Sequence, residues 1–364
     1  MASPNGLELR VNLKALLLLA AVAVPLLLLD LFFVLDRSRS ALETTVGNHL
    51  KTIAEVMASE TSRFVHAKIV EVGILAAEEE VRRAAVEANR QPVSEQKLLE
   101  LDRNWESPKS AEVANRMLAS PTSAYLRGYL SINLSVKRLL LTDAQGASIA
   151  GSHKPIDYYQ GDEDWWTAAF RDGAGAIHVG DIRYDPVSRT NFLAIDAPVL
   201  TPGRDRVIGV LRAIVDVAEM RPITTQIQVG GRGEAMLVKG DGTILSSRNV
   251  TLVLKQKAEE MEVVGPLAAE QGSGYTNASL KGGARKLIAF ADPGLSQAFP
   301  ELNWKVIVTQ DVEEAHLPIA AVTNRAMVTA FAGLLLFAVL AAYFSLHRPL
   351  KFTDIENARS GSWQ

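Results

Sequence analysis

The chain has 364 residues, and its 38 lysines and arginines against 41 aspartates and glutamates give a formal net charge of −3. This mild balance, with no basic stripe beside the aromatic residues, argues against nucleic-acid binding. No cysteine is present and the six histidines are scattered. We therefore expect no disulfide, no transition-metal site and no bound cofactor.

Two apolar stretches predict membrane spans. They are "ALLLLAAVAVPLLLLDLFFVL", residues 15–35, and "AMVTAFAGLLLFAVLAAYFSL", residues 326–346, each 21 residues long. A helix of about 20 apolar residues crosses the hydrocarbon core of a bilayer. The first stretch runs into "DRSRSALETT" without a cleavage motif, which favours an uncleaved anchor over a removed signal peptide.

The orientation of the chain follows from the basic residues at its two short ends. These residues are Arg10, Lys14, His347, Arg348 and Lys351. Basic flanks stay in the cytoplasm, so we expect residues 1–14 and the tail 347–364 to be cytoplasmic. Residues 36 to about 323 are then extracytoplasmic.

A long amphipathic helix is predicted from Asp36 to about Arg90, where neither proline nor a turn cluster occurs. Its apolar residues recur at steps of three or four: Leu42, Val46, Leu50, Ile53, Met57 and Phe64. Such a helix beside a membrane is typical of a stalk or a dimer seam, which predicts a homodimer. Three prolines then predict loops with short helices over 91–125, so that the stalk region spans 36–125.

The apolar period changes to two in the second half of the chain. "RLLLTDAQGASIAGS", 138–152, and "EAMLVKGDGTILSSR", 234–248, each read as strand, tight turn and strand, with Gly146 and Gly242 in the turns. Further strands follow each hairpin. This pattern predicts one α+β unit used twice, at 126–222 and at 223–318, each an antiparallel sheet with helices packed on it.

The ordered set of motifs resembles a known family. It runs "LLLTDAQGASIAGS", "DYYQGDEDWWTAAF", "FLAIDAPV", "VIGVLRAIVDV", "VKGDGTILSS" and "NWKVIVTQ" between the two spans. It is similar to the double Cache sensor domains of bacterial chemoreceptors, sensor kinases and cyclases, over about 37–318. The resemblance implies two stacked PAS-like antiparallel sheets on one long helix. It also implies an inner-membrane protein whose membrane-distal unit, 126–222, binds a small extracytoplasmic molecule.

The resemblance also implies a ligand site. Family members that bind amino acids carry a tyrosine, an arginine five residues later, a tryptophan–aromatic pair, a second tyrosine and an aspartate ending the last strand. The matching positions here are Tyr158, Glu163, Trp165, Trp166, Tyr184 and Asp216. Arginine would hold a ligand carboxylate through a two-pronged charged hydrogen bond, whereas Glu163 would repel it.

A cationic ligand is therefore the first expectation. Aromatic faces attract ammonium groups, and Asp216 with Glu163 could neutralise one, so an amine, polyamine or quaternary ammonium fits. Amino acids, organic acids and sugars stay open. Asp196 is a secondary candidate, because a carboxylate on the apolar strand face of Phe192 and Ala194 needs a partner.

Each aromatic or acidic candidate also has a structural interpretation. The adjacent tryptophans point apart on a helix, so one is expected in the core and the other in the pocket. Tyr158 and Tyr184 could equally lie on the surface, and at least one of residues 162–164 is expected to cap the helix that they open.

No enzyme is predicted, because the glycine turns lack the GK[ST] of a phosphate loop and no G-x-S-x-G occurs. The tail "RPLKFTDIENA" resembles the start of a HAMP linker. We expect a sensor that signals to a kinase, cyclase or chemotaxis output, in the same chain or in a separate protein. The alternative is a membrane-anchored binding or assembly protein without transmembrane signalling.

Overall fold

The computed structural model describes residues 13–185, 189–248 and 254–346. Residues 47–311 form one unit, and the described residues 13–46 and 312–346 belong to another. The larger unit holds both predicted sheets, and the smaller one holds the two apolar stretches.

Helix α1, Leu13–Ala76, is shorter than the helix predicted to continue to Arg90, so that prediction is wrong in its last turns. The helical path is interrupted at Ala77 and Glu78, and α2, Glu79–Arg90, follows. Glu78 takes an extended conformation (φ −63°, ψ 143°), which redirects the chain. The redirection lets α2 bury Val81 and Ala85 completely.

Short helices occupy the proline-punctuated stretch, as the sequence indicates. They are α3, Glu95–Arg103, α4, Ala111–Leu118, and α5, Pro121–Ile132. Pro121 starts α5 at a position where its missing N–H costs nothing. Ser120 precedes it as the N-cap and accepts a hydrogen bond from the Ser123 N–H at 3.1 Å.

The first sheet is antiparallel and has six strands. In space the strands run β2-β1-β6-β5-β3, and β4 also pairs with β5. Helix α6, Asp164–Phe170, packs against β5 and β6. Gly146 provides the β1–β2 turn with φ +84°, a conformation that glycine adopts without steric cost. The strands are β1, Val136–Thr142, β2, Ser148–Gly151, β3, His178–Val179, β4, Arg183–Asp185, β5, Thr190–Leu200, and β6, Val207–Asp216.

The second sheet repeats this plan with five strands in the order β8-β7-β11-β10-β9. In both sheets the last strand of the unit, β6 or β11, lies beside the first. Two helices accompany this sheet, α7, Arg221–Thr225, and α8, Met261–Glu270. Its core contains the fully buried Val238, Ile288 and Ile307. The strands are β7, Glu234–Lys239, β8, Ile244–Ser247, β9, Ser273–Ser279, β10, Arg285–Ala291, and β11, Trp304–Asp311.

The smaller unit contains the start of α1, followed later in the chain by α9, Val312–Ala315, and α10, Leu317–Leu346. Over the residues that the structure describes, one helical segment, Thr323–Leu340, is long and apolar enough to cross a membrane. It lies within the second predicted span except for its first three residues. The first predicted span, 15–35, stays a prediction.

Candidate ligand-binding site

A cavity of about 400 Å³ opens beside the first sheet, within the size range of small-molecule sites. Its apolar wall includes Leu140, Ile156, Phe192 and Ile214. Its charged and titratable groups are Arg138, His153, Asp157, Glu163, Arg183, Asp185 and Arg212. The cavity therefore offers both signs of charge over an apolar floor.

The floor of the cavity follows from strand alternation. Successive side chains point to opposite faces of a sheet, so residues two apart share a face. Arg212 and Ile214 reach the cavity from β6, Arg138 and Leu140 reach it from β1, and Phe192 comes from β5. One face of the central strands thus provides both arginine and hydrocarbon.

The opposite wall is a loop that the β1–β2 turn holds in place. The Gln160 N–H donates to the Gly146 carbonyl at 2.8 Å. A carboxylate oxygen of Asp102 accepts the N–H groups of Tyr158 and Tyr159 at 3.0 and 2.9 Å. These bonds fix the chain just ahead of Glu163.

Glu163 lines the cavity as the N-cap residue of α6, but its side chain makes no capping hydrogen bond. Glu163 is therefore not an acid that caps the helix through its side chain, whereas Asp164 lies in the first turn, where the helix N-terminus favours acids. Burial raises the pKa of Glu163, and the nearby carboxylates of Asp157 and Asp162 raise it further, while Arg212 lowers it. Glu163 therefore lies near other carboxylates, and Arg212 is close enough to offset part of the repulsion between these negative charges.

The two adjacent tryptophans take different places. Trp166 is buried, donates its Nε1–H to Thr142 Oγ1 at 2.9 Å and stacks on Phe170 with ring centroids 4.5 Å apart. Trp165 lines the cavity, where the guanidinium carbon of Arg212 lies 4.2 Å from its ring centroid. Trp166 belongs to the core, and Trp165 belongs to the cavity wall.

The remaining candidates from the sequence are dispersed. Tyr184 lines the cavity and is largely exposed. Tyr158 is buried beside Trp105, with ring centroids 5.2 Å apart, and does not line the cavity. Asp196 is completely buried beneath Arg212, where the two form an ion pair at 3.6 Å.

Asp216 does not line the cavity, so it cannot join Glu163 in neutralising a ligand there. It ends β6, and its side chain accepts a hydrogen bond from the N–H of Ala218, two residues further along the chain, at 2.8 Å. Lys137 pairs with its other oxygen at 3.4 Å. A carboxylate at the end of a strand has free backbone N–H groups nearby, and here it binds one of them.

Several groups that line the cavity were not among the residues predicted from the sequence, Arg212 foremost. The signal was present, because Arg212 interrupts the apolar strand "VIGVLRAIVDV" just as Asp196 interrupts "FLAIDAPV". Arg138 and Asp185 were also missed, and they pair with each other at 3.2 Å. Burial lowers the pKa of His153, and the charge of Arg138 lowers it further, which favours the neutral imidazole.

A sequence profile of the Cache domain matches residues 38–319. The chain belongs to the Cache-domain family. The methyl-accepting chemotaxis protein PctB of Pseudomonas aeruginosa is 26% identical over 199 residues, 55% of this chain and 30% of that protein. The chain thus matches less than a third of the length of this relative.

The chain shares its fold with a solved chemoreceptor domain. The ligand-binding domain of the Campylobacter jejuni chemoreceptor Tlp3, in complex with L-norvaline, superposes with a TM-score of 0.50 at 15% identity. The match covers 77% of this chain and 96% of that one. The PctB ligand-binding domain in complex with L-Arg gives a TM-score of 0.43 at 20% identity, covering 74% of this chain and 97% of that one. All of these named relatives are chemoreceptors or parts of chemoreceptors.

Proposed function

We propose that this protein is a membrane-anchored sensor that binds a small extracytoplasmic molecule in the cavity of the first sheet. The observation that carries the proposal is the mixed charge of that cavity, where Arg212 lies on Trp165 and the loop opposite supplies Glu163. The lining combines apolar side chains with many charged ones, and in small-molecule sites such polar groups fix the orientation of the ligand.

The membrane topology of the sensor has two spans. The apolar stretches 15–35 and 326–346 support it, and the basic residues at both chain ends support cytoplasmic termini. The sheets then lie on the outer side of a bacterial inner membrane, with 126–222 as the membrane-distal unit and 223–318 as the membrane-proximal unit.

The ligand carries an amine, as the glutamate in place of arginine first indicated. Three carboxylates line the cavity; Asp185 pairs with Arg138, and Asp157 and Glu163 are the ones that we assign to the amine. The Arg212 guanidinium already covers one face of Trp165, so an ammonium group cannot stack on that face. The guanidinium of Arg212 also lines the cavity, while its buried Nη1 faces Asp196 Oδ1 at 3.6 Å. We therefore infer that the ligand also carries an acidic group, which Arg212 binds.

Three probes of equal length test this ligand class: 1,5-diaminopentane, 5-aminopentanoate and glutarate. We expect isothermal titration calorimetry of the full chain in lipid nanodiscs to find 5-aminopentanoate the tightest. Glu163→Gln should weaken both amines by about tenfold, the value of one charged hydrogen bond. Asp162→Asn is the matched control, since Asp162 is exposed and does not line the cavity. Absence of binding by both amines contradicts the proposal.

The sensor is a homodimer that pairs through α1. Val56, Val70 and Ile74 are large apolar residues, each at least half exposed on this helix. Together with the exposed Ala67 they are separated by 11, 3 and 4 residues, which are single steps or sums of steps of three and four, the spacing of a helix–helix seam. A second copy of the helix would cover this stripe.

The output is a cytoplasmic kinase, cyclase or chemotaxis pathway, in the same chain or in a separate protein. Strand β11 ends at Asp311 and α9 begins at the next residue, followed by α10. A shift of β11 could therefore be passed along the chain through α9 to α10, which contains the proposed second span. A protein that only binds or assembles would show no ligand-dependent change in cysteine crosslinking between two copies of α10.

A further inference from the structure

Three charged side chains form a row across one face of the first sheet. The register pairs His178 with Asp196 and Asp196 with Arg212, and directly paired residues on neighbouring strands share a face. His178 Nδ1 lies 2.8 Å from Asp196 Oδ2. Arg212 Nη1 lies 3.6 Å from Asp196 Oδ1. Arg212 ends this row at the cavity.

The other end of the row reaches the segment that precedes β11 in the second sheet. His178 Nε2 lies 3.2 Å from Glu301 Oε1. The second oxygen of Glu301 accepts the Asp181 N–H at 3.1 Å and lies 4.0 Å from Arg183 Nη2. A chain of contacts therefore runs from the cavity to the second sheet.

The geometry sets the charge of His178. Carboxylates ionised near neutral pH only accept hydrogen bonds, and a neutral imidazole has one N–H and one acceptor nitrogen. Both ring nitrogens of His178 face a carboxylate oxygen, so both contacts are favourable only for the imidazolium. Loss of the proton leaves a lone pair against Asp196 or Glu301 and breaks one end of the row.

The charged groups that face His178 are Asp196 on β5 and Glu301 before β11. Arg212 on β6 contacts Asp196, and Arg183 on β4 and the Asp181–Lys239 pair lie beside Glu301. The hydrogen bond to Asp196 raises the pKa of His178 most, burial opposes it, and Glu301 raises it again. Burial raises the pKa of Glu301, but the Asp181 N–H and His178 outweigh it and leave that pKa lowered. The two directions agree with a charged bridge.

We propose that His178 is a positioning residue that ties Arg212 of the cavity to Glu301 of the second sheet while it carries a proton. The two sheets are then coupled through the row at acidic and neutral pH. They lose this coupling as pH rises and His178 is deprotonated. The coupling through His178 depends on contacts around the cavity, so it does not depend on which ligand the cavity binds.

A neighbouring clamp without histidine keeps the sheets together when the row is broken. Asp181 pairs with Lys239 at 2.5 Å and accepts the Trp304 Nε1–H at 3.0 Å. Lys239 also donates to the Ile182 carbonyl at 3.2 Å. Deprotonation of His178 therefore releases one link between the sheets and leaves the attachment itself in place.

A double-mutant cycle between Arg212→Gln and Glu301→Gln tests the coupling in the full chain in nanodiscs. These residues share no direct contact in the structure, so their effects on Tm should add unless the row connects them. At about pH 6 we expect non-additivity of about 1–2 °C, and at about pH 9 additivity. In a His178→Gln background the effects should add at both pH values.

Glu262→Gln is the matched control, because Glu262 is an exposed carboxylate of the second sheet unit that pairs with Lys281. Its effect should add to that of Arg212→Gln at both pH values. If Arg212→Gln does not fold, Asp196→Asn replaces it in the cycle and the same pH dependence is expected. Additivity at about pH 6, or equal coupling at both pH values, overturns the proposal.

Discussion

Replacing each of the adjacent tryptophans by alanine should separate stability from binding. Trp166 is buried on Phe170 and bonded to Thr142, while Trp165 contacts Arg212 at the cavity. Both substitutions remove the same indole side chain, at two adjacent positions. Their effects should differ because only Trp166 fills the core.

The magnitude follows from these surroundings. Trp166→Ala should lower the free energy of unfolding by about 3–5 kcal/mol, the range for deleting a buried large aromatic residue. At about 2–4 °C per kcal/mol, Tm falls by about 6–20 °C. Trp166→Phe should cost only about 1 kcal/mol. It keeps an aromatic ring against Phe170, and Thr142 Oγ1 still bonds the backbone of Val210.

Trp165→Ala loses a cation–π contact worth about 0.5–2 kcal/mol and should shift Tm by only a few degrees. Binding of 5-aminopentanoate should instead weaken at least tenfold, since a wall of the cavity is removed. Thermal unfolding followed by circular dichroism and calorimetric titration measure the two effects on the full chain in nanodiscs. Equal loss of Tm in both alanine variants would refute this assignment of core and cavity.

Three further predictions follow from single features. The pKa of His178 is raised in the folded protein. Protonated His178 therefore stabilises the folded state fully below the unfolded pKa of about 6.5, and this contribution is lost as pH rises through the folded pKa. The Tm of the wild type should fall over that pH range, and the Tm of His178→Gln should not. Gly146→Ala should cost more than about 1 kcal/mol in urea unfolding, because φ is +84° and a Cβ would lie 2.4 Å from the Gly161 nitrogen; a wild-type midpoint would contradict this. Val70→Cys should form an oxidative crosslink between two copies in a chain without native cysteine, while the buried Val72→Cys should not.

Local patterns predicted much of the fold because they reflect local physics. The alternation around Gly146 and Gly242 indicated two hairpins, and both are present as β1–β2 and β7–β8. The helix prediction failed past Ala76, where the sequence carries no proline. The break at Ala77 and Glu78 accompanies the burial of Val81 and Ala85, which depends on tertiary packing.

The sequence by itself determined the family, the two-sheet plan and the segment "DEDWW" that flanks the cavity. Hydrophobic period, turn glycines and motif order all act over a few residues and are visible in a single chain. The charge of the site was decided by tertiary structure. Arg212 meets Trp165, and Asp216 turns away, because strand register and backbone hydrogen bonds fix directions that spacing along the chain does not contain.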